Sequence, residues 1–234
     1  MARMDFDLIS NLNIVVGHYG GGKTNFAVNL ALLLKEKFPE RAVHIADLDI
    51  VNPYFRTADA AELLEKHGIE ALLPQFANTN VDIPSLPPKL IGLMESKDDF
   101  TVIDVGGDDG SVALGMYREA IEKAGYSMFC VVNAYRPLIT DPAAALGCMQ
   151  EIEEASHLRC TAIVNNSNLG VETTAEDVAN AVEYGNACAK LANLPLFCHT
   201  YIPALVPDVP ELFRARGLDG EPLLAMESAT KKLF

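Results

Sequence analysis

Tryptophan is absent, no two of the five cysteines stand at C-x-x-C spacing, and cationic side chains are scarce, 18 Lys and Arg against 32 Asp and Glu. The cysteines, Cys130, Cys148, Cys160, Cys188 and Cys198, are odd in number and widely spaced. They spell neither a zinc site nor a disulfide framework, and free, mostly buried thiols are expected. The formal charge of −14 argues against functions that rest on sequence-independent attraction to DNA or to anionic lipid, because both need clustered Lys and Arg. No nucleic-acid partner is therefore expected. No apolar run reaches the ~18 residues that span a bilayer, and the N-terminal Met1-Ala2-Arg3-Met4-Asp5-Phe6-Asp7 has no apolar core of a signal peptide. The chain is read as cytoplasmic, where the sequon Asn165-Asn166-Ser167 is a chance match. Its histidines, His18, His44, His67, His157 and His199, show no metal-ligand spacing, and there is no G-x-S-x-G elbow.

What is present is apolar content: half of the 234 residues are hydrophobic. A chain of this length buries roughly 70% of its unfolded surface, so residues 1–234 are read as one domain. Continuous apolar runs, expected where a parallel sheet is covered on both faces, occur at Asn13 to Val16, Ala42 to Ala46, Phe100 to Val105, Met128 to Val132, Thr161 to Val164 and Leu194 to Tyr201. Helical patterns lie between them, at Thr24 to Phe38, Asp59 to His67, Pro88 to Glu95, Val112 to Ala124, Pro142 to Ala155 and Ala175 to Ala192. This alternation predicts an α/β fold, a doubly wound, mostly parallel sheet with helices on both faces. The stretch from Pro74 to Pro88 reads as an ordered surface excursion, and Glu221 to Phe234 as a short amphipathic helix that packs on the domain or frays, membrane binding being unlikely in so acidic a chain.

The strongest motif is Gly17-His18-Tyr19-Gly20-Gly21-Gly22-Lys23-Thr24, which fits G-x-x-x-x-G-K-[ST] without a mismatch. It follows an apolar run and opens an apolar helix, the strand-loop-helix context of a phosphate-binding loop. Glycines let backbone N–H groups turn around an anion, and the helix N-terminus adds its positive end. Lys23 is positioned to reach the β- and γ-phosphates, Thr24 to ligate Mg²⁺, and Asn25 follows inside the first helical turn.

Two strands end in carboxylates at the edge where such a loop needs them. One runs Ala42-Val43-His44-Ile45-Ala46-Asp47-Leu48-Asp49, and alternation turns Asp47 and Asp49 the same way. The other runs Phe100-Thr101-Val102-Ile103-Asp104-Val105-Gly106-Gly107, with Asp104 as the Walker B carboxylate. Either strand end alone reads as a solvated turn or a helix cap; together with the loop they form a metal-triphosphate site.

In combination these residues resemble the MinD/ParA/Mrp group of P-loop ATPases, the CobQ/CobB/MinD/ParA nucleotide-binding domains, from Asn13 to about Pro207. The resemblance implies that Asp49 activates the attacking water, that Asp47 and Asp104 support Mg²⁺, that Gly106-Gly107 acts as a switch, that Asn165 reads adenine, and that the chain forms a homodimer. Asn165 serves equally well as a turn cap. The segment Val131-Val132-Asn133-Ala134-Tyr135-Arg136-Pro137 is similar to a strand end of the group, with Asp141 capping the next helix. One departure is sharp: His18 stands where the group has a signature lysine. An imidazole is shorter and carries less charge, so His18 is either a weaker phosphate-facing group or a loop-packing residue.

Three functions follow from this reading. The first is a Mg²⁺-dependent ATP-binding protein, a slow ATPase that acts as a MinD/ParA-like switch between ATP and ADP and engages a protein partner. The second is an ATP-dependent ligase or kinase of the wider superfamily, whose small-molecule acceptor would meet Asn52-Pro53-Tyr54-Phe55-Arg56 and the Pro74 to Pro88 excursion. The third is a nucleotide-binding protein that does not hydrolyse. No N-K-x-D guanine motif is present, which favours adenine.

Overall fold

The computed structural model describes residues 4–48, 60–72 and 88–229. Asp49, the Asn52 to Arg56 loop, nearly all of the Pro74 to Pro88 excursion and the last five residues lie outside the described residues. Eight strands, β1 (Leu12–Gly17), β2 (Val43–Asp47), β3 (Glu70–Leu72), β4 (Phe100–Asp104), β5 (Tyr126–Val132), β6 (Ala162–Asn165), β7 (Leu196–Tyr201) and β8 (Leu223–Ala225), form one sheet in the order β3-β2-β4-β1-β5-β6-β7-β8. Every neighbouring pair is parallel, which requires crossover connections. Nine helices among the described residues supply them: α1 (Lys23–Lys37), α2 (Ala61–Lys66), α3 (Pro88–Met94), α4 (Asp108–Gly115), α5 (Arg118–Ala124), α6 (Pro142–Ser156), α7 (Ala175–Asn180), α8 (Val182–Ala192) and α9 (Val209–Ala215). The doubly wound α/β architecture expected from the alternation is the one observed.

Strand alternation divides the core between the two faces. On β1, Leu12, Ile14 and Val16 join one cluster with Ile103, Met128, Cys130 and residues of α6 and α8. Val15 points the other way, with Phe26, Leu30 and Leu34 of α1. There Phe26, Phe129 and Phe197 form an aromatic triangle with centroids 5.0 to 6.3 Å apart, which fixes α1 against the middle of the sheet. Asp141 caps α6 as expected, its Oδ1 accepting from the N–H groups of Ala143 and Ala144 at 3.0 Å each. None of the five cysteines is in a disulfide; four are buried and Cys148 is half-buried.

Several boundaries differ from the sequence reading. The helix expected over Val112 to Ala124 is two helices, α4 and α5, joined at Met116 and Tyr117, and that over Ala175 to Ala192 breaks at Ala181. Over the described residues 221–229 the expected C-terminal helix is not formed. Residues 223–225 are instead the edge strand β8, held parallel to β7, and Leu223, Leu224, Met226 and Ala229 are buried. Its apolar residues match a two-residue alternation only over a stretch too short to signal a strand. No helix of the described residues is long and apolar enough to cross a membrane.

Because Phe26 is fully buried between two other rings, Phe26→Ala is expected to lower the unfolding free energy by about 3–5 kcal/mol, read from the shift of a urea or guanidinium midpoint.

Candidate functional site

The topology concentrates the motif residues at the carboxyl edge of the sheet, on either side of β1. β1 lies between β4 and β5, and the chain leaves it through Gly17 into a loop that ends at the first turn of α1. The loop is not self-supporting. Two side chains from the neighbouring strand ends hold two successive carbonyl groups: Arg136 Nε donates to Gly20 O at 2.7 Å, and Asn166 Nδ2 to Gly21 O at 2.8 Å. A trans peptide is planar, so a carbonyl drawn to one side sends the following N–H to the other. Asn166 is itself fixed, its Oδ1 accepting from Thr200 Oγ1 at 2.6 Å. Gly22 is obligatory here: at φ +87° a Cβ would lie 2.1 Å from the Asn166 amide nitrogen.

Inside the loop the donors converge. The Gly21 N–H and the Lys23 ammonium both donate to one oxygen, His18 O, at 3.0 and 3.2 Å. Lys23 is buried, so its charge is held at the loop and not in bulk water. A cation and a backbone amide that share one neutral carbonyl oxygen are placed to exchange it for an anionic one. The His18 ring does not take part; its Nδ1 lies 3.0 Å from Tyr19 O, and Tyr19 is largely exposed.

On the β4 side, Thr24 Oγ1 donates to Asp104 Oδ2 at 2.6 Å in a buried contact. Asp47 and Asp104 are partners in the β2–β4 register and are both buried, so two carboxylates lie side by side on adjacent strands beside the first residues of α1. A hydroxyl and carboxylate oxygens are the hard donors that Mg²⁺ takes. Among the described residues no three His, Cys, Asp or Glu side chains gather as a metal-binding group, and Mg²⁺ in nucleotide sites needs fewer, since water and phosphate complete its shell. Gly107 opens α4 just beyond Asp104.

Two predicted site residues sit elsewhere. Asn25 accepts from the Ala229 N–H at 2.9 Å and, with Asn29, whose Oδ1 accepts from the Glu227 N–H at 2.7 Å, ties α1 to the C-terminal segment. Asn165 is buried, and its amide is engaged inside the protein: Nδ2 donates to Ala181 O and to His199 Nδ1, both at 2.8 Å, and Oδ1 accepts from Ser167 Oγ at 2.6 Å. Its neighbour Asn166 holds the loop, a role hidden in sequence because only the β6 register decides which of the two asparagines faces β1. Arg136 was equally invisible, being a lone cation in a turn. Asn166, Asn168, Thr200, Ile202, Val206 and Met226 contribute to a mostly apolar pocket at the carboxyl ends of β6 and β7, adjoining the loop through Asn166.

No protein-family model matches the chain, and no curated protein does. Solved structures do match in fold, and that fold is the one of the P-loop NTPases. The chloroplast FtsY of Physcomitrella patens is 16% identical with a TM-score of 0.53, over 81% of this chain and 58% of its own. FtsY of Mycoplasma mycoides is 18% identical, TM-score 0.53, over 84% and 61%. An ADP complex of a nucleotide-binding protein from Archaeoglobus fulgidus is 15% identical, TM-score 0.50, over 92% and 89%. The chain thus spans about three fifths of the FtsY structures and most of the archaeal protein.

Two outcomes are expected. Asn166→Ala removes both the 2.8 Å and 2.6 Å contacts and should lower the unfolding free energy by about 1–3 kcal/mol, measured by urea titration. The second concerns His199, which is buried and accepts at Nδ1 from Asn165 while Nε2 faces Glu221 at 3.3 Å. The donor at Nδ1 assigns the neutral Nε2–H tautomer. Burial lowers the His199 pKa below 6.5, with Glu221 opposing that shift. The unfolded chain therefore binds the proton first, and this stability, present above pH 6.5, is lost as pH falls through the folded-state value. Melting temperatures from pH 7.5 to 5 should drop less steeply in His199→Gln.

Proposed function

We propose that the chain is a Mg²⁺-dependent ATP-binding protein and slow ATPase, a nucleotide switch of the MinD/ParA kind. The observation that carries this reading is the convergence of the Gly21 N–H and the Lys23 ammonium on one oxygen beside the buried Thr24–Asp104 contact. Support comes also from the shared fold with an ADP-bound nucleotide-binding protein. In this reading the loop amides and Lys23 bind the β- and γ-phosphate oxygens and stabilise charge that builds there during in-line attack by water. Thr24 and Asp104, with Asp47 beside them, hold Mg²⁺, which neutralises phosphate charge when bound. Asp49 orients the attacking water. The strand end Asn165-Asn166-Ser167-Asn168 offers no carboxylate to pair with the two donors of guanine, which favours adenine. The site is assigned to the cytoplasm, with a second copy of the chain and a further protein as its partners.

Purified protein should release phosphate slowly from Mg-ATP. Lys23→Ala is expected to reduce that rate by about 100-fold or more, and Asp49→Ala sharply, with ATP binding retained in the second variant. Phosphate release unchanged by either substitution would overturn the assignment.

A further inference from the structure

Among the described residues, Arg136 is the side chain that meets the phosphate loop from the β5 side with a fixed positive charge. Its guanidinium packs directly against Gly20: at φ +72° a Cβ on that residue would fall 1.7 Å from Arg136 Nη2 and 2.4 Å from Cζ. Glycine at position 20 is therefore what lets the arginine approach. The turn that carries Arg136 is braced from four directions. The Ala134 N–H donates to Ser167 Oγ at 2.8 Å, the Tyr135 N–H to Asn133 Oδ1 at 2.9 Å, Tyr135 Oη to Asp177 O at 2.7 Å, and the Ile139 N–H to Arg136 O at 3.2 Å. Such bracing holds a long, rotamer-rich side chain in one place before any ligand arrives, which lowers the ordering cost of binding.

Only Nε of this guanidinium is committed, to Gly20 O; Nη1 and Nη2 donate to no described residue. Arginine's remaining fork is matched in shape and charge to phosphate oxygens. The strand order fixes which phosphates those are. The residues proposed to hold the metal, Thr24, Asp47 and Asp104, lie on the β4 side of the loop, whereas Arg136 meets the loop from the β5 side. A nucleotide laid across this edge has its terminal phosphate toward the metal side and its inner phosphates toward β5.

Resting on the nucleotide-binding reading above, we infer that Arg136 is a phosphate-binding residue, supplied by the same chain, that grips the inner diphosphate shared by ADP and ATP. It brings a permanent cation to a loop whose position 18 carries only an imidazole, and it does so without a second subunit.

The test measures binding of Mg-ADP and of a non-hydrolysable Mg-ATP analogue by calorimetry, from low to moderate salt, to the full chain and to Arg136→Ala, Arg136→Gln and Arg136→Lys. Arg136→Ala should weaken both nucleotides alike, by about 10- to 100-fold, and flatten the salt dependence because one phosphate-facing charge is gone. Arg136→Gln should behave as the alanine variant does, since it can still donate to Gly20 O but carries no charge, and Arg136→Lys should recover part of the loss. Affinities within twofold of the parent, a loss confined to the triphosphate, or full recovery in Arg136→Gln would each overturn the inference. If Arg136→Ala fails to fold, the Gln and Lys variants decide by the same criteria. A parent protein that binds neither nucleotide would overturn the proposed function instead, before any variant is compared.

Discussion

The planarity of two peptide groups governs this site. Gly20 and Gly21 present their carbonyl oxygens to Arg136 and Asn166, and the next N–H group in each case is turned the opposite way. A glycine-rich loop has many conformations of similar energy, so its anion-binding form must be stabilised from outside. Here the stabilisation comes from the ends of β5 and β6, whose own positions are set by the parallel register with β1 and with each other. The sheet thus does more than display the loop; its strand order selects the loop's conformation. The aromatic triangle beneath α1 completes the frame by holding the helix that the loop enters.

A second constraint is charge. The chain is strongly acidic, yet Asp47 and Asp104 are buried on adjacent strands next to a buried lysine and a buried threonine. Two neighbouring carboxylates in a region of low dielectric are costly unless cations accompany them. In the proposed function a divalent ion and the loop's positive groups would supply that balance, with the phosphates between them.

The class of fold was legible in the sequence because parallel strands covered on both faces leave continuous apolar runs, and because Gly17 to Thr24 combines backbone chemistry with fixed spacing. β3 and β8 were not, being three-residue edge strands too short for any period to register. Within the site, Lys23, Thr24 and Asp104 were visible because the motif names them one by one. Asn166 and Arg136 were not, since each acts across a strand-to-strand contact that no local pattern encodes. Asn165 shows the limit from the other side: one residue of shift along β6 moves the side chain from the face beside the loop to an internal network with Ser167 and His199.

The tie between α1 and residues 226–229 carries a further implication. Asn25 and Asn29 stand in the first turns of the same helix that the phosphate-loop motif opens, and they hydrogen-bond the backbone of Glu227 and Ala229. If the loop binds a ligand as proposed, ligand binding and docking of that segment act on one helix, and their linkage is reciprocal. Any ligand that steadies the first turns of α1 must slow amide exchange at residues 227 and 229, and any partner that peels the segment away must loosen the ligand by the same free energy. In the proposed function the segment after β8 is thereby a place from which occupancy of the loop would be both sensed and changed.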